Sequence, residues 1–358
     1  MRQKNPDSEK GNRSRIDPAK TMYFECGALA FVGAFVSVLI SVAWLNPPES
    51  GAASPRASIG KAEPLILSGG LLPELVTSAA IVPLEELNGF VAAAGPVSSS
   101  VKTLHKTFRR LGYRLDKVMS DNELVPRVFL TSLPGDLSRV PENKLRKGIF
   151  FQALLPLVLQ VNEEIFNDRR RLWKLRYQTA LGEKHSAADR LWLRVMTERY
   201  KVKAGDIDAL FSHIDIVPTS LALAQAAEES GWGTSRFARE GNAMFGQWAR
   251  ASSKGLVPLK RDEGKTHKVQ SFETLIGSVR AYTLNLNSHR AYKGFRSARQ
   301  SIRRSGSAID GWVLAGKLHK YSKRGVDYIV ALRNLIDHNG LAPLDGARLD
   351  TSASASSI

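Results

Sequence analysis

The sequence predicts a mainly helical protein of the α+β class, preceded by one transmembrane helix. Three observations support this. Apolar residues make up 43% and charged residues 24% of the 358, a globular composition with enough apolar side chains for a substantial core. One uncharged apolar segment near the N-terminus is long enough to cross a membrane. Beyond it, the spacing of apolar residues favours helices joined by short loops.

The transmembrane prediction rests on residues 26–45, CGALAFVGAFVSVLISVAWL, which carry no formal charge. Six Lys and Arg residues precede this segment, and the next basic residue is Arg56. The positive-inside rule therefore places residues 1–25 in the cytoplasm and everything after residue 45 across the membrane. The alternative is a cleaved signal peptide, because Ser41-Val42-Ala43 resembles a cleavage site. Both interpretations place the bulk of the chain outside the cytoplasm.

The remaining chain is divided by composition. Pro, Ser, Gly and Ala dominate the segment after the apolar run, as in linkers. The clearest helix before residue 200 runs from Asn143 to about Ala180, and Pro156 is expected to kink or break it. A polar insertion at residues 249–269 interrupts the later helices. The predicted segments are a cytoplasmic N-terminus (1–25), a transmembrane anchor (26–45), a linker (46–61), a helical accessory region (62–200), a second helical domain (201–345) and a disordered tail (346–358).

Residues 217–248, VPTSLALAQAAEESGWGTSRFAREGNAMFGQW, contain the candidate chemistry. The Ala- and Leu-rich part predicts a helix with Thr219 as N-cap and Gly231 just past its end. Gln225 and Glu229 are separated by four residues and therefore share one helix face. That face is otherwise apolar, so a carboxyl group is expected in the last turn of a core helix.

Two effects are expected to raise the pKa of Glu229. The negative end of the helix dipole disfavours a second negative charge, and Trp232 is expected to remove water from the carboxyl group. A carboxyl group with a raised pKa serves as a general acid near neutrality. Glu228 lies about 100° around the helix and is expected to face solvent. The alternative is that Glu229 lies on the surface and Trp232 is a core aromatic.

The 217–248 segment resembles the bacterial glucosaminidase domain of flagellar and autolysin-type peptidoglycan hydrolases, and is most similar to Bax-type bacterial proteins. The resemblance extends over about residues 85–345. The further similar segments are PRVFLTSLPGDL at 126–137, KGIFFQALLPLVLQVNEE at 147–164, GLVP at 255–258, RAYTLNLN at 280–287, and residues 318–338.

This resemblance implies a lysozyme-like fold, mostly helical, with a cleft for a glycan. The family hydrolyses β-1,4 bonds at the N-acetylglucosaminyl side, with the glutamate that matches Glu229 as general acid. Tyr292 matches a family tyrosine near the catalytic water or the reacting sugar, and the segment containing Tyr321 closes over the cleft in relatives. The expected substrate-binding residues are Gln225, Trp232, Asn242, Phe245, Gly246 and Tyr321.

The second carboxylate is less clearly indicated. In the family it comes from a mobile lobe that corresponds to residues 249–269, where Glu263 aligns better than Asp262. The alternative is that both are solvated loop charges. Bax-type relatives often carry a cysteine pair at the start of this lobe, where this chain has Ala249 and Lys254.

The charge of the chain is +17, from 51 Lys and Arg against 34 Asp and Glu, which predicts an acidic partner such as a lipid surface, an anionic glycan or nucleic acid. Outside the cytoplasm nucleic acid is not expected. Arg299, Arg303 and Arg304 fall on one predicted helix and are expected to form a solvated basic stripe. The single cysteine, Cys26, excludes a disulfide within the chain and a cysteine-based zinc cluster.

The sequence therefore predicts an endo-β-N-acetylglucosaminidase acting on peptidoglycan glycan strands. It is expected in the inner membrane, with a single pass and a periplasmic catalytic domain, or as a secreted or periplasmic protein if the signal is cleaved. No cofactor, metal ion or nucleotide is expected, since no His pair has metal-ligand spacing and no Gly-rich phosphate loop occurs. The alternatives are a lytic transglycosylase, which forms an anhydro product, and a non-catalytic glycan-binding module.

Overall fold

A computed structural model of the chain describes residues 100–249, 254–258, 268–351 and 356–357. The predicted anchor, the predicted linker and the first part of the accessory region lie outside these residues, as do Asp262 and Glu263. The described residues are mostly helical, which confirms the predicted class.

The helices, in chain order, are α1 (Val101–Arg110), α2 (Leu115–Asp121), α3 (Asn143–Ala180), α4 (Ala187–Tyr200), α5 (Ile207–His213), α6 (Thr219–Ser230), α7 (Arg236–Gly241), α8 (Leu275–Ser288), α9 (Lys293–Arg304), α10 (Gly311–Ala315) and α11 (Val326–His338). Short 3-10 turns occur at Leu137–Arg139, Arg290–Tyr292 and Ala342–Gly346. The strands are β1 (Val128–Phe129), β2 (Gly255–Leu256), β3 (Val269–Gln270) and β4 (Ser356–Ser357); β1 pairs with β4 in parallel and β2 with β3 in antiparallel.

The long helix α3 is the main structural element of the fold. It continues through Pro156 without a break, because Leu155 and Leu157 on either side are fully buried and hold both turns in the core. Among the described helices, α3 alone is long and apolar enough to cross a membrane by length and composition. However, 72% of its most apolar window is buried inside the protein, as expected for the core helix of a globular domain.

Helix α6 lies at the centre of the remaining helices and packs against α3, α10 and α11. Its residues from Leu221 to Ala227 are all buried, and four of these seven are alanines, which permit close helix packing. Gly311 approaches especially closely, since a Cβ atom there would lie 2.9 Å from the backbone nitrogen of Leu221. A continuous core extends from Val101 to Leu349, so helices before and after residue 200 share it.

The N-terminus of α6 is capped by a carboxylate distant in sequence. Pro218 occupies the N-cap position and provides no capping side chain, so Thr219 is not the cap that was predicted. Instead, Asp345 accepts hydrogen bonds from the Ser220 backbone nitrogen (2.8 Å), the Ser220 hydroxyl (2.9 Å) and the Gly311 backbone nitrogen (2.8 Å). Burial raises the pKa of Asp345, although these three donors oppose the shift. One carboxylate thus accepts from the N-termini of both α6 and α10, beside Asp310, whose side chain accepts from the next two backbone nitrogens of α10.

We expect Asp345→Ala to lower the free energy of unfolding by about 2 kcal/mol, because it leaves buried donors at two helix N-termini without an acceptor. Denaturant unfolding followed by tryptophan fluorescence measures this loss. Glu198→Ala is the control, since Glu198 forms only an exposed ion pair with Arg194 within α4 and its loss is expected to cost less than about 0.5 kcal/mol. Equal effects of the two substitutions would contradict the capping role.

Residues 346–351 differ from the predicted disordered tail. The Val125 backbone nitrogen donates to the Arg348 carbonyl and the Asp350 nitrogen donates to the Val125 carbonyl, each at 2.8 Å. The side chain of Leu349 is 2% exposed and joins the core. The segment is ordered because this apolar side chain is buried and the backbone on both sides of it is paired.

The solvated basic stripe expected on α9 is present only in part: Arg304 is exposed, Arg303 is half-buried and Arg299 is buried. Arg299 is completely buried and donates to the carbonyls of Ser212, Asp215 and Ile216 at 2.7 to 3.1 Å. Arg303 donates to the buried Asp215 carboxylate at 2.8 Å. Arg299 is buried and Arg303 points inward because the segment before α6 offers carbonyl oxygens and a carboxylate that need donors.

Candidate active site

Glu229 lies in the last turn of α6, which ends at Gly231 in the left-handed conformation (φ 57°). The side chain is half-buried. Burial raises the pKa of Glu229, and the neighbouring charge of Glu228 adds to this, while a hydrogen bond from Tyr328 and the charge of Arg324 oppose it. The net direction is upward, as predicted from the helix position, so the group holds its proton to higher pH than an ordinary glutamate.

Several tyrosine hydroxyl groups interact electrostatically with Glu229. Among the described residues, four tyrosines sense the Glu229 charge; burial raises their pKa, and that charge raises it further. These side chains therefore remain neutral hydrogen-bond donors over the whole range in which a carboxyl group titrates. The four are Tyr282 in α8, Tyr292 in the 3-10 turn, Tyr321 before α11, and Tyr328 in α11.

Ring stacking fixes the positions of these tyrosines. Phe245 stacks on Tyr282 with ring centroids 3.9 Å apart and an angle of 8° between the planes. Tyr321 stacks on Tyr328 at 5.6 Å and 2°, and Tyr292 lies tilted against Tyr321 at 5.8 Å. The Tyr321 hydroxyl also donates to the Phe245 carbonyl at 3.1 Å. The segment after α7 is thereby tied to α8 and to the start of α11.

Gly246 lies directly against the catalytic candidate. Its φ is 60°, and a Cβ atom at this position would lie 3.3 Å from Oε2 of Glu229. Glycine therefore meets two requirements here: a left-handed backbone, and close approach of the chain to the carboxylate.

We expect Gly246→Ala to reduce the glycan cleavage that the resemblance implies at least tenfold, because the added methyl group crowds the Glu229 carboxylate. The matched control is Gly306→Ala, since Gly306 has a similar φ of 71° but open space around its Cβ position. Both substitutions should cost about 1 kcal/mol of stability through backbone strain, and only the first should slow cleavage. Equal activity of the two variants would show that contact with Glu229 is unimportant.

Two of the predicted substrate-binding residues, Trp232 and Asn242, make contacts with the surrounding scaffold. The Trp232 ring packs edge-on against Phe150 and Phe151 of α3, with centroids 5.8 and 5.3 Å away, and Lys147 lies over its face. Asn242 ends α7 in the left-handed conformation (φ 49°) and donates to two backbone carbonyls after β3. These contacts position both residues in the scaffold, and their substrate binding stays a prediction.

Gln225, predicted to bind substrate, is completely buried one turn before Glu229 and bonds to Tyr282 and Tyr328. The residues predicted for the site did not include Tyr282 or Tyr328, although the resemblance places Tyr328 with Tyr321 in the segment that closes over the cleft in relatives. Tyr282 falls within the RAYTLNLN segment that carried the resemblance, and Tyr328 follows Tyr321 by seven residues. The first of these signals indicates Tyr282 and the second indicates Tyr328.

An ion pair lies next to Glu229. Glu228, predicted to face solvent, is half-buried and paired with Arg324. The arginine lies before α11 and thereby joins this helix to the end of α6. Within the described residues, no group of three or more His, Cys, Asp and Glu side chains is placed to hold a metal ion.

The lobe between residues 249 and 269 is described only at its base. There Gly255–Leu256 pairs in antiparallel with Val269–Gln270, and Trp248 bridges to Val269. Asp262 and Glu263 lie outside the described residues, so their role as second carboxylate stays a prediction.

Comparison with known proteins gives two matches. Residues 206–341 match the family model described as mannosyl-glycoprotein endo-beta-N-acetylglucosaminidase. Protein bax of Escherichia coli (strain K12) is 35% identical over 204 residues, which cover 55% of this chain and 71% of that protein. No solved structure matches significantly. The family match contains α6 and all the tyrosines around Glu229.

Proposed function

The chain belongs to the Bax-type glucosaminidase-domain proteins, and from this premise we propose that it hydrolyses β-1,4 bonds at N-acetylglucosamine in peptidoglycan, with Glu229 as general acid. The observation that carries the proposal is a half-buried carboxyl group with a raised pKa among neutral phenol groups. Such a group keeps its proton where an exposed glutamate has lost it, and glycoside cleavage requires that proton at the leaving oxygen.

In this mechanism Glu229 protonates the glycosidic oxygen as the bond to the anomeric carbon breaks. The carboxylate that results is stabilised by the Tyr328 hydroxyl and the Arg324 charge, the two groups that favour its ionised form. Water, or the acetamido group of the substrate, then completes the displacement. Glu263 or Asp262 polarises the water, and Tyr292 stabilises the reacting sugar. General acid catalysis of this kind contributes about 10²- to 10⁴-fold to the rate.

The proposed setting is the outer face of the inner membrane. Residues 26–45 have the length and composition of a single transmembrane anchor, and the basic residues before them favour a cytoplasmic N-terminus. The catalytic domain then faces the periplasm, where glycan strands are the partner. The excess of basic residues favours contact with this anionic polymer.

A lytic transglycosylase is the second candidate, and one observation favours it. Glu228 is engaged by Arg324, so among the described residues Glu229 is the carboxyl group available for chemistry at this site. A transglycosylase works with one carboxyl group, since a substrate hydroxyl takes the place of water and gives an anhydro product.

The test is a digestion of purified sacculi by the full chain in detergent, with mass spectrometry of the new chain ends. Reducing N-acetylglucosamine ends support the proposed glucosaminidase. Anhydro-muramyl ends would assign the protein to the transglycosylases. Binding to sacculi without release of fragments would favour a non-catalytic glycan-binding module.

A further inference from the structure

A chain of buried hydrogen bonds leads to Glu229. The Tyr282 hydroxyl donates to Oε1 of Gln225 at 2.6 Å, and Nε2 of Gln225 donates to the Tyr328 hydroxyl oxygen at 2.9 Å. Gln225 precedes Glu229 by one turn of the same helix, and the Tyr328 hydroxyl acts on Glu229 as a hydrogen-bond donor that lowers the pKa of this carboxyl group. Gln225 is 0% exposed, Tyr282 0% and Tyr328 1%, so no water competes for these bonds.

The amide of Gln225 gives this chain a direction. An amide oxygen only accepts and an amide nitrogen only donates. Because Nε2 donates to Tyr328, the hydroxyl proton of Tyr328 points away from Gln225 and toward the carboxylate. If the amide were reversed, Tyr328 would donate to Oε1 and Glu229 would lose its donor. The Tyr282 hydroxyl opposes this reversal, because its proton needs Oε1 as acceptor.

We propose that Gln225 is a positioning residue: its buried amide, held by Tyr282, fixes the Tyr328 hydroxyl as a hydrogen-bond donor to Glu229. This inference rests on the proposed function for its catalytic meaning, since a donor that favours the ionised carboxylate makes Glu229 a stronger acid toward the glycosidic oxygen. The hydrogen bonds themselves are a property of the folded protein, and their effect on Glu229 is measurable without substrate.

Several charged and titratable groups face Glu229 and enter the expected pH dependence. Removing the Tyr328 donor takes away a group that stabilises the ionised form, so the pKa of Glu229 is expected to rise further. The groups that face the carboxyl are Glu228 on α6, Arg324 before α11, Tyr328 on α11, Tyr282 on α8, Tyr292, and Tyr321.

The experiment titrates Glu229 directly. The full chain is labelled with glutamate carrying ¹³C at Cδ, kept in detergent, and followed by NMR from pH 3 to pH 9. Glu229→Gln assigns the resonance by its absence. Tyr328→Phe is expected to raise the pKa of Glu229 by about one unit, and Gln225→Met by about half a unit or more. Gln152→Met is the control, because Gln152 bonds to the Tyr113 carbonyl, away from the tyrosines around Glu229.

The double variant separates positioning from general damage. If Gln225 acts through Tyr328, Gln225→Met combined with Tyr328→Phe has the same Glu229 pKa as Tyr328→Phe alone. Additive shifts, or no shift in Gln225→Met, would overturn the proposal. If Gln225→Met does not fold, Tyr282→Phe takes its place. That substitution frees the amide to reverse and is expected to give a smaller upward shift, and an unchanged pKa overturns the proposal.

These outcomes are independent of the proposed reaction. A chain that releases no fragments from sacculi but shows the predicted shifts would refute the hydrolase and leave the role of Gln225 intact. An active enzyme without the shifts would refute the role of Gln225 alone.

Discussion

Replacing Glu229 with glutamine is expected to lower the rate of glycan cleavage at least about a thousandfold, because the variant has no proton to give to the leaving oxygen. Glutamine has nearly the same shape and still accepts a hydrogen bond from Tyr328, so the fold and binding to sacculi should be retained. The measurement is the rate at which the full chain releases reducing ends from sacculi, together with sedimentation of the protein with intact sacculi.

Glu228→Gln is the matched control, since it makes the same chemical change one residue away. Its cleavage rate is expected to stay within about tenfold of the original. Because the charge of Glu228 raises the pKa of Glu229, its removal should lower that pKa and move the alkaline limb of activity to lower pH. Equal losses in the two variants, or more than a tenth of the activity in Glu229→Gln, would remove Glu229 from the role of general acid.

We expect Asp215→Ala to have the largest effect on stability, lowering the free energy of unfolding by about 3–5 kcal/mol. Asp215 is 2% exposed and lies between Arg303, with which it forms a 2.8 Å ion pair, Arg299 at 3.8 Å and Arg169 at 3.6 Å. Its loss leaves the fully buried Arg299 guanidinium without a neutralising charge. Denaturant unfolding followed by tryptophan fluorescence measures the change.

The pH dependence of stability distinguishes the loss of the Asp215 charge from a simple loss of packing. Burial alone would raise the pKa of Asp215, but Arg299, Arg303 and Arg169 together hold it below its ordinary value. The stabilisation is therefore present above the pKa of an unfolded aspartate, about 3.9, and is lost as pH falls through the lower folded pKa. Wild-type protein should lose this contribution below about pH 4, whereas Asp215→Ala should not.

The control for this prediction is Asp208→Ala. Asp208 also pairs with an arginine, Arg176, but both side chains are exposed, so the cost should be below about 1 kcal/mol. A loss at Asp208 as large as at Asp215 would contradict the importance of burial.

The parts of the site that follow local rules were predictable from the sequence. The bounds of α6 come from Ala and Leu propensity and from Gly231, and they fix Glu229 in the last turn. The upward direction of the Glu229 pKa was predicted as well, and its main cause is burial. The resemblance of the Phe245 and Gly246 segment to the family also placed both residues in the site, and the structure brings them against Tyr282 and Glu229.

The parts that local rules missed depend on partners distant in sequence. The sequence assigned desolvation of Glu229 to Trp232, three residues away, and did not indicate the tyrosines 53 to 99 residues later in the chain that sense the Glu229 charge. The position of Arg299 on its helix predicted a side chain in solvent. Its burial is explained by the carbonyl groups before α6, which accept its hydrogen bonds. A polar side chain in a core is stable when its partners are present, and a single sequence does not show them.

The capping of α6 by Asp345 has a consequence for how the protein is made. Asp345 is 125 positions beyond Ser220, and Leu349 fills the core beside the first described helices. During synthesis, the helix that holds Glu229 has therefore left the ribosome long before the carboxylate that caps it. Contacts of such separation form late and slowly. The site around Glu229 should thus be completed only after residue 345 has joined the fold, so a chain interrupted before that point carries the full Glu229 motif without a properly anchored helix.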